Sequence, residues 1–193
     1  MRVIKNIYNI NIINEKITAI IGVRKGSIRV KNKNIKPFGD TTLLELKIKT
    51  LLDCQNIDNI LVTSDCDEML ELAKKYDVIV HKRDKYYASN ECPTSEYFKY
   101  IAGICDTEHI IYSPVTSPFI TSNDYDNIIN IYKSFNLNKK YDSITTCEKL
   151  HEFIYLNNNP LNFKSNNIPK SQDIEGILKL TFGCSILPKK IMI

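Results

Sequence analysis

Apolar residues along the chain fall into short runs that alternate with stretches of helical periodicity. Runs typical of buried strands occupy residues 17–21, 59–64, 78–80, 109–113, 143–147 and 178–187. Apolar positions spaced as on one face of a helix occupy residues 43–52, 65–76, 94–104 and 124–135. This alternation predicts an α/β fold with a doubly wound, mostly parallel sheet and helices on both faces.

Residues that favour a helix N-terminus precede two of these helices. Thr41 or Thr42 can cap the first helix with its hydroxyl. Asp65 and Asp67 stand at the start of the second, and a helix cap is the role expected for them. In the last helix, the residues predicted to face the core are Ile128, Ile129, Ile131 and Tyr132.

Two segments fall outside the alternating pattern. Residues 1–16 are apolar and rich in asparagine, and they form an N-terminal extension that is either a short edge strand or a loose arm. Residues 149–176 contain two turn signals, Asn157 to Pro160 and Asn166 to Pro169. They also carry apolar and aromatic side chains that a small excursion cannot bury alone, so a subunit contact is expected there.

Composition limits the classes of protein to be considered. A chain of 193 residues with 43% hydrophobic content predicts one compact domain, residues 17–193. The net charge of +4 suits phosphorylated small molecules and does not by itself argue for nucleic acid. No run of eighteen apolar residues and no secretory signal pattern is present, so no membrane association and a cytoplasmic location are expected. The six scattered cysteines are expected to be reduced and mostly buried, without a zinc site.

A glycine- and cation-rich loop follows the first predicted strand. It contains Arg24, Gly26, Ser27 and Lys33 and closes on Asn34. Glycine lets backbone N–H groups turn toward an anion and the cations neutralise it, so the pattern favours a phosphate site. The alternative is a solvated basic loop. The Walker A and Rossmann glycine patterns do not occur in the sequence.

The spacing of this loop resembles the A-R-x-x-S…K-N signature of the acylneuraminate cytidylyltransferases, the CMP-sialic acid synthetases. The resemblance implies a nucleotide-diphospho-sugar transferase-like fold. It also implies attack by a sugar-acid hydroxyl on the α-phosphate of CTP, which gives a CMP-sugar and pyrophosphate. Arg24 and Lys33 would be catalytic, because they would neutralise the α-phosphate and the departing pyrophosphate. Gly26 and Ser27 would donate backbone N–H groups, and Asn34 would order the nucleotide.

A second segment with this resemblance follows the third predicted strand. Residues 81–98, HKRDKYYASNECPTSEYF, resemble the family's L-R-P-x-x-L-A-x-D-x-x-S segment. The resemblance implies contacts to base and ribose from Arg83 and from Thr94 or Ser95. The alternative is an ordinary surface turn. Asn90 stands where the family has an aspartate, which keeps the hydrogen-bonding shape and loses the charge.

Two later segments resemble the sugar-binding parts of the family. Residues 112–120 resemble L-L-Q-P-T-S-P-L-R, which makes Thr116 and Ser117 candidate sugar contacts. Pro114 and Ile120 replace the family's glutamine and arginine, which weakens the case for sialic acid as the substrate.

Residues 170–173 resemble the family's P-R-x-Q segment and add Lys170 and Gln172 as sugar-binding candidates. The alternative for residues 112–120 is a loop kept for its turn geometry alone, and the alternative for residues 170–173 is a solvated loop. Residues 149–176 resemble the family's subunit-contact insertion, which implies a homodimer.

The resemblance also implies Mg²⁺, which the family binds with an I-D-I-D-T-x-x-D motif. That motif is absent from the sequence, and the last forty residues contain no D-x-D. The ligands of a metal are therefore not identified. The expectation is either a shortened form of the enzyme or a protein that binds nucleotide with little turnover. A non-catalytic nucleotide-binding or assembly protein is the alternative function.

Overall fold

The structure, a computed structural model, describes residues 16–26, 30–136 and 141–193. The strands are β1 (Ile17–Gly22), β2 (Pro37–Phe38), β3 (Thr41–Thr42), β4 (Asn59–Ser64), β5 (Ile79–Lys82), β6 (His109–Tyr112), β7 (Ile144–Leu150), β8 (Tyr155–Leu156), β9 (Asn159–Pro160) and β10 (Ile177–Pro188). The helices are α1 (Leu43–Leu52), α2 (Asp67–Ala73), α3 (Thr94–Gly103), α4 (Ser122–Asn136) and α5 (Lys189–Met192). Short 3₁₀ turns lie at Tyr86–Ala88 and Ser171–Asp173.

The central sheet has six strands in the order β5-β4-β1-β6-β10-β7. Strands β5, β4, β1 and β6 are parallel, and β10 pairs antiparallel with both β6 and β7. The chain builds outward from β1 through β4 to β5 and then returns to place β6 on the other side of β1. The carboxyl ends of β1 and β6 therefore flank the point where the strand order reverses, which is where open α/β sheets bind ligands.

The core lies on both faces of this sheet. Ile17, Ala19 and Ile21 of β1 pack in one cluster with residues of α1, α2 and α4. Ile20 faces the opposite side and packs with residues of α3. This alternation along one buried strand is the period of two that a strand imposes. The predicted doubly wound α/β class is confirmed.

The structure corrects two predictions about helix orientation and start. In α4 the buried residues include Tyr125, Ile129 and Tyr132, whereas Ile131 is 43% exposed. Ile131 is therefore wrong as a core residue, because residues two positions apart point to different sides of a helix and Ile131 stands two positions after the buried Ile129. The prediction that Asp65 or Asp67 caps α2 is also wrong.

The α2 N-cap is Cys66, and no side chain hydrogen-bonds at this cap. The Asp65 carboxylate accepts the backbone N–H of Lys25 at 2.9 Å, and Asp67 pairs with Lys82. Both carboxylates thus bind groups outside α2 and do not cap this helix.

The segment 149–176 forms a small excursion beside the sheet. Strands β8 and β9 form a hairpin whose turn residues, Asn157 and Asn158, have φ of 49° and 64°. Positive φ at both positions suits asparagine, so the first predicted turn is confirmed. The base of the excursion is closed by Asn162, whose side-chain amide donates to the carbonyls of Glu152 and Glu175 at 2.9 and 2.7 Å.

The cysteines are all free thiols; Cys66, Cys105 and Cys184 are buried, and Cys147 is exposed. Within the described ranges, no helix has both the length and the apolar content needed to cross a membrane.

Candidate functional site

Two adjoining pockets open at the carboxyl edge of the sheet between β1 and β6. The first, the Arg83 pocket, has a volume of about 380 Å³. It is lined by Gly22, Arg24, Arg83, Tyr87, Ser89, Asn90, Cys92, Thr94, Tyr97 and Tyr112. The second, the Lys33 pocket, has a volume of about 340 Å³. It is lined by Gly22, Val23, Arg24, Val30, Lys33, Asn34, Tyr112, Pro114, Val115 and Thr116.

Arg24 stands on the wall that the two pockets share. Its Nη1 donates to the carbonyl of Ala88 at 2.7 Å, and its Nη2 donates to Oδ1 of Asn90 at 2.8 Å. The guanidinium thus ties the basic loop to the segment that follows β5, more than sixty residues later. Both acceptors are neutral, so neither cancels the positive charge that Arg24 brings to the pockets.

Arg83 forms part of the floor of its pocket and is only 4% exposed. Its backbone N–H donates to the carbonyl of Ser64 at 2.8 Å, and its Nη2 donates to the carbonyl of Val23. Its guanidinium carbon lies 5.2 Å from the centre of the Tyr97 ring. The Nε of Arg83 is buried and has no hydrogen-bond partner in the structure.

Aromatic rings line the Arg83 pocket beside the Arg83 guanidinium. Tyr97 and Tyr112 meet edge to face with ring centres 6.5 Å apart, and Phe98 packs against Tyr112 at 5.2 Å. Burial raises the pKa of both Tyr97 and Tyr112, which keeps the two phenols neutral. Neutral phenols retain an O–H donor, and the rings offer faces for stacking.

Gly22 is a site residue that the sequence did not single out. A Cβ at this position would lie 2.0 Å from the Tyr97 hydroxyl and 3.8 Å from Nη1 of Arg83. The missing Cβ at the last residue of β1 therefore lets the Tyr97 hydroxyl approach the strand, while the distance to Arg83 is an ordinary van der Waals contact. The available signal was a glycine at the end of a buried strand, directly before the basic loop.

The N-terminus of α3 meets the Arg83 pocket at Thr94. The first N–H groups of a helix have no acceptor inside the helix, and they carry the positive end of its dipole. Thr94 therefore adds donor groups to a pocket that already holds two arginines. Ser95 is separated from it and lines a different, apolar pocket with Phe98 and Phe182.

The basic loop brings some of its predicted residues to the Lys33 pocket. Lys33 is half-buried and lines this pocket, whereas Gly26 is exposed and has φ of +86°. Asn34 is buried: its side-chain amide donates to the carbonyl of Arg24 at 3.2 Å, and its carbonyl accepts from the Leu44 N–H at 3.0 Å. Asn34 thus holds the loop in shape. Ser27 lies outside the described residues.

The predicted sugar-binding residues are placed in two separate regions. Thr116 lines the Lys33 pocket, and the carbonyl of Ser117 accepts a hydrogen bond from Lys47 at 2.9 Å. Lys170 and Gln172 are exposed at a 3₁₀ turn, and neither lines the Arg83 pocket or the Lys33 pocket.

The carboxylates near the pockets are few. Among the residues that the structure describes, no three or more His, Cys, Asp or Glu side chains cluster so that they could hold a metal ion. Asp65 is the carboxylate beside the basic loop, and Asp67 is already paired with Lys82. Magnesium at nucleotide sites is usually held by one or two carboxylates together with phosphate oxygens and water, so the described residues leave Asp65 as a candidate ligand and do not define the full ligand set.

Comparison with known proteins identifies the family. Residues 18–181 match the family model described as cytidylyltransferase. The chain belongs to the cytidylyltransferase family. The resemblance drawn from the loop after β1 is therefore confirmed.

Curated relatives of the chain differ in the sugar acid that they are named for. The N-acylneuraminate cytidylyltransferase of Escherichia coli is 27% identical over 140 residues, covering 72% of this chain and 33% of that protein. The 3-deoxy-manno-octulosonate cytidylyltransferase of Rickettsia felis is 28% identical over 136 residues, covering 70% of this chain and 53% of that protein. The chain thus spans about a third to a half of these relatives.

A solved structure gives the same fold. A CMP:2-keto-3-deoxy-manno-octonic acid synthetase complexed with CTP matches with a TM-score of 0.71 at 10% identity, covering 92% of this chain and 76% of that one. At this identity the likeness concerns the fold alone.

Proposed function

We propose that this cytidylyltransferase binds CTP across the Arg83 and Lys33 pockets and transfers its CMP group to a sugar acid. The observation that carries the proposal is Arg24, which joins the two motif segments at the strand-order switch point and leaves its charge uncompensated between the pockets. The sugar hydroxyl would attack the α-phosphorus, the bond from the α-phosphorus to the bridging oxygen would break, and pyrophosphate would leave.

In this proposal the Arg83 pocket takes the cytosine and ribose. Tyr97 and Tyr112 supply ring surfaces, and the Arg83 guanidinium together with the first turn of α3 at Thr94 supplies donors. Cytosine has acceptor atoms on its edge, so a pocket rich in donors suits it. Ser95, which lines a different pocket, would act only through the helix turn that it shares with Thr94.

The triphosphate would lie along the shared wall and the basic loop. Arg24 would exchange its neutral acceptors for phosphate oxygens, which a guanidinium binds in pairs. Lys33 would supply a compact positive charge to the departing pyrophosphate, and Gly26 and Ser27 would supply backbone N–H groups. Asn34 would contribute indirectly, because it fixes the loop and the start of α1.

The acceptor would occupy the Lys33 pocket beside Thr116 and Ser117. Pro114 and Val115 also line this wall, which therefore offers fewer hydrogen bonds than the glutamine and arginine expected from the resemblance. We propose a sugar acid that relies less on polar contacts at these positions than sialic acid does. Lys170 and Gln172 stay candidates for covering the sugar from the neighbouring excursion.

The Mg²⁺ requirement implied by the resemblance stays a prediction. The cytoplasmic location also stays a prediction. In the part of the chain that the structure describes, no cluster of three or more metal-ligating side chains is found, which favours one second candidate: a nucleotide-binding protein that kept the fold without turnover.

Calorimetric titration with CTP, UTP, ATP and GTP tests the nucleotide assignment. We expect CTP to bind more tightly than ATP or GTP, because the family resemblance covers the base-contacting segment around Arg83. Equal affinities, or no binding, would overturn it.

Pyrophosphate release then separates the enzyme from the binding protein. The assay would contain CTP, with or without Mg²⁺, and N-acetylneuraminate or 3-deoxy-manno-octulosonate. Release that depends on both the sugar acid and Mg²⁺ supports the transferase; CTP binding without release supports the alternative.

A further inference from the structure

Lys47 is a lysine at a position of α1 where the helical pattern predicts an apolar residue. It lies on the core face of α1 and is only 1% exposed. Its Nζ donates to the carbonyl of Ser117 and to the hydroxyl of Tyr125, each at 2.9 Å. Tyr125 in turn shares a hydrogen bond with the hydroxyl of Ser113. Ser113 and Ser117 are the two ends of the loop 114–116 that lines the Lys33 pocket.

Keeping an amine at this position has a cost. Burial lowers the pKa of Lys47 from 10.5 to about 8, and both of its hydrogen-bond acceptors are neutral oxygens. An apolar side chain would fill the same space without that desolvation. The role of the amine is therefore sought in its hydrogen bonds. One of these bonds fixes the backbone of the loop after β6 at the carbonyl of Ser117.

The same helix is also bonded to the basic loop, near the N-terminus of the helix. The carbonyl of Asn34 accepts the Leu44 N–H at 3.0 Å, and the side chain of Asn34 donates to the carbonyl of Arg24. Helix α1 is thus bonded to the loop of Arg24 near its start and to the loop 114–116 through Lys47. The two walls of the Lys33 pocket are connected through one rigid element.

We propose that Lys47 is a positioning residue, which fixes the loop 114–116 so that Thr116 faces the acceptor opposite Lys33. Naming the occupant as the acceptor sugar rests on the proposed function; the fixing of the loop does not.

Hydrogen exchange measured by mass spectrometry tests the fixing of the loop without any substrate. The variant Lys47→Met keeps the length of the side chain and removes the donor. The matched control is Lys49→Met, an exposed lysine on the same helix. We expect peptides covering 113–120 to exchange at least tenfold faster in Lys47→Met, with β4 peptides unchanged and Lys49→Met like the wild type. Unchanged loop exchange, or uniform acceleration throughout the sheet, would overturn the proposal.

Tyr125→Phe is a second arm that stands even if Lys47→Met does not fold. It removes the tyrosine hydroxyl and leaves the bond from Lys47 to Ser117. Loop protection within about threefold of the wild type is expected. A tenfold loss would assign the loop to the pair of Tyr125 and Ser113, and would overturn the proposal.

Steady-state kinetics with the sugar acid that supports release completes the test. We expect Lys47→Met to raise the KM for the sugar acid about tenfold and to leave the affinity for CTP within twofold. Equal losses for both substrates would indicate general damage to the site and count against a positioning role. If wild-type protein does not bind CTP, the proposed function fails while the exchange result still decides the role of Lys47.

Discussion

Single residues decide the shape of the site where β1 ends. Gly22 lets the Tyr97 hydroxyl approach the strand, and Arg24, two residues later, joins the basic loop to the segment after β5. Arg83 is buried and holds the carbonyl of Val23, so it supports the loop as well as lining the pocket. Its side chain therefore has a structural role alongside the proposed one.

Removing the Arg24 guanidinium should weaken triphosphate binding. We expect Arg24→Ala to lose about 1.5–3 kcal/mol of CTP binding free energy, the scale of a charged hydrogen-bond partner. Calorimetry measures it, and Lys25→Ala is the control, because the Lys25 side chain is exposed and should contribute much less. Similar losses in the two variants would indicate a diffuse electrostatic effect in place of a fixed phosphate site.

A methyl group at Gly22 should disturb the pocket from within. Gly22→Ala would force the Tyr97 hydroxyl away from the strand, and overpacking of this kind costs about 1–3 kcal/mol of unfolding free energy. Urea unfolding measures the loss, and calorimetry should show weaker CTP binding.

The matched control for Gly22→Ala is Gly103→Ala at the end of α3. A Cβ at Gly103 meets no atom within 4 Å, and alanine is the better helix former, so stability should stay equal or rise. If both alanine variants behave alike, close packing at Gly22 is not what requires glycine.

At the scale of elements, two helices direct their N-termini to the carboxyl edge of the sheet. Helix α3 presents its first turn to the Arg83 pocket at Thr94. Helix α1 begins next to the basic loop, where Thr42 is the N-cap and its hydroxyl accepts the Glu45 N–H at 3.1 Å. The sequence left Thr41 and Thr42 as equal candidates for this cap, and the structure assigns it to Thr42.

Isosteric valine variants should distinguish these two threonines. Thr42→Val removes the capping hydroxyl, and we expect it to lower the free energy of unfolding by about 1 kcal/mol. Thr41→Val removes a hydroxyl that is buried without a hydrogen-bond partner, so it should be neutral or slightly stabilising. Thermal or urea unfolding compares them; a larger loss in Thr41→Val would contradict the assigned cap.

At the scale of the whole molecule, the order of strands places the pockets and the excursion 149–176 at different parts of the sheet. The excursion carries exposed apolar side chains, including Tyr155 and Leu156 at 59% each and Leu161 at 53%. The ring of Phe163 packs against those of Phe153 and Tyr155, which makes a small aromatic cluster. A second copy of the chain would cover this surface, so the expected dimer stays a proposal with a defined contact.

Light scattering at micromolar protein should show a dimer. We expect Leu156→Lys to shift it to a monomer, because a charge would be placed in an apolar contact. Ile131→Lys is the control, since Ile131 is 43% exposed and lies on α4, outside the excursion. Monomeric wild-type protein, or equal effects of the two variants, would remove the excursion as the contact.

The sequence by itself determined the class of fold and most of its elements. Strand β4 was predicted with the observed bounds, and α1 and α3 within a residue or two, because buried parallel strands and amphipathic helices leave local patterns of hydrophobicity. The two motif segments around Arg24 and Arg83 were also found, since their spacing along the chain is a local property.

Only the tertiary structure decided which polar groups meet. Lys47 has the side chain of a surface residue but stands on the buried face of α1, because its partners Ser117 and Tyr125 come from a loop and a helix seventy or more residues away. Ile131 was predicted inward and faces out, because the rotation of α4 is set by Tyr125 and Tyr132 against the sheet. Asp65 was predicted to cap α2 but accepts the N–H of Lys25, a contact that exists only once β1 and β4 are paired. Pairing across the sheet is non-local, so no pattern within one segment could have shown it.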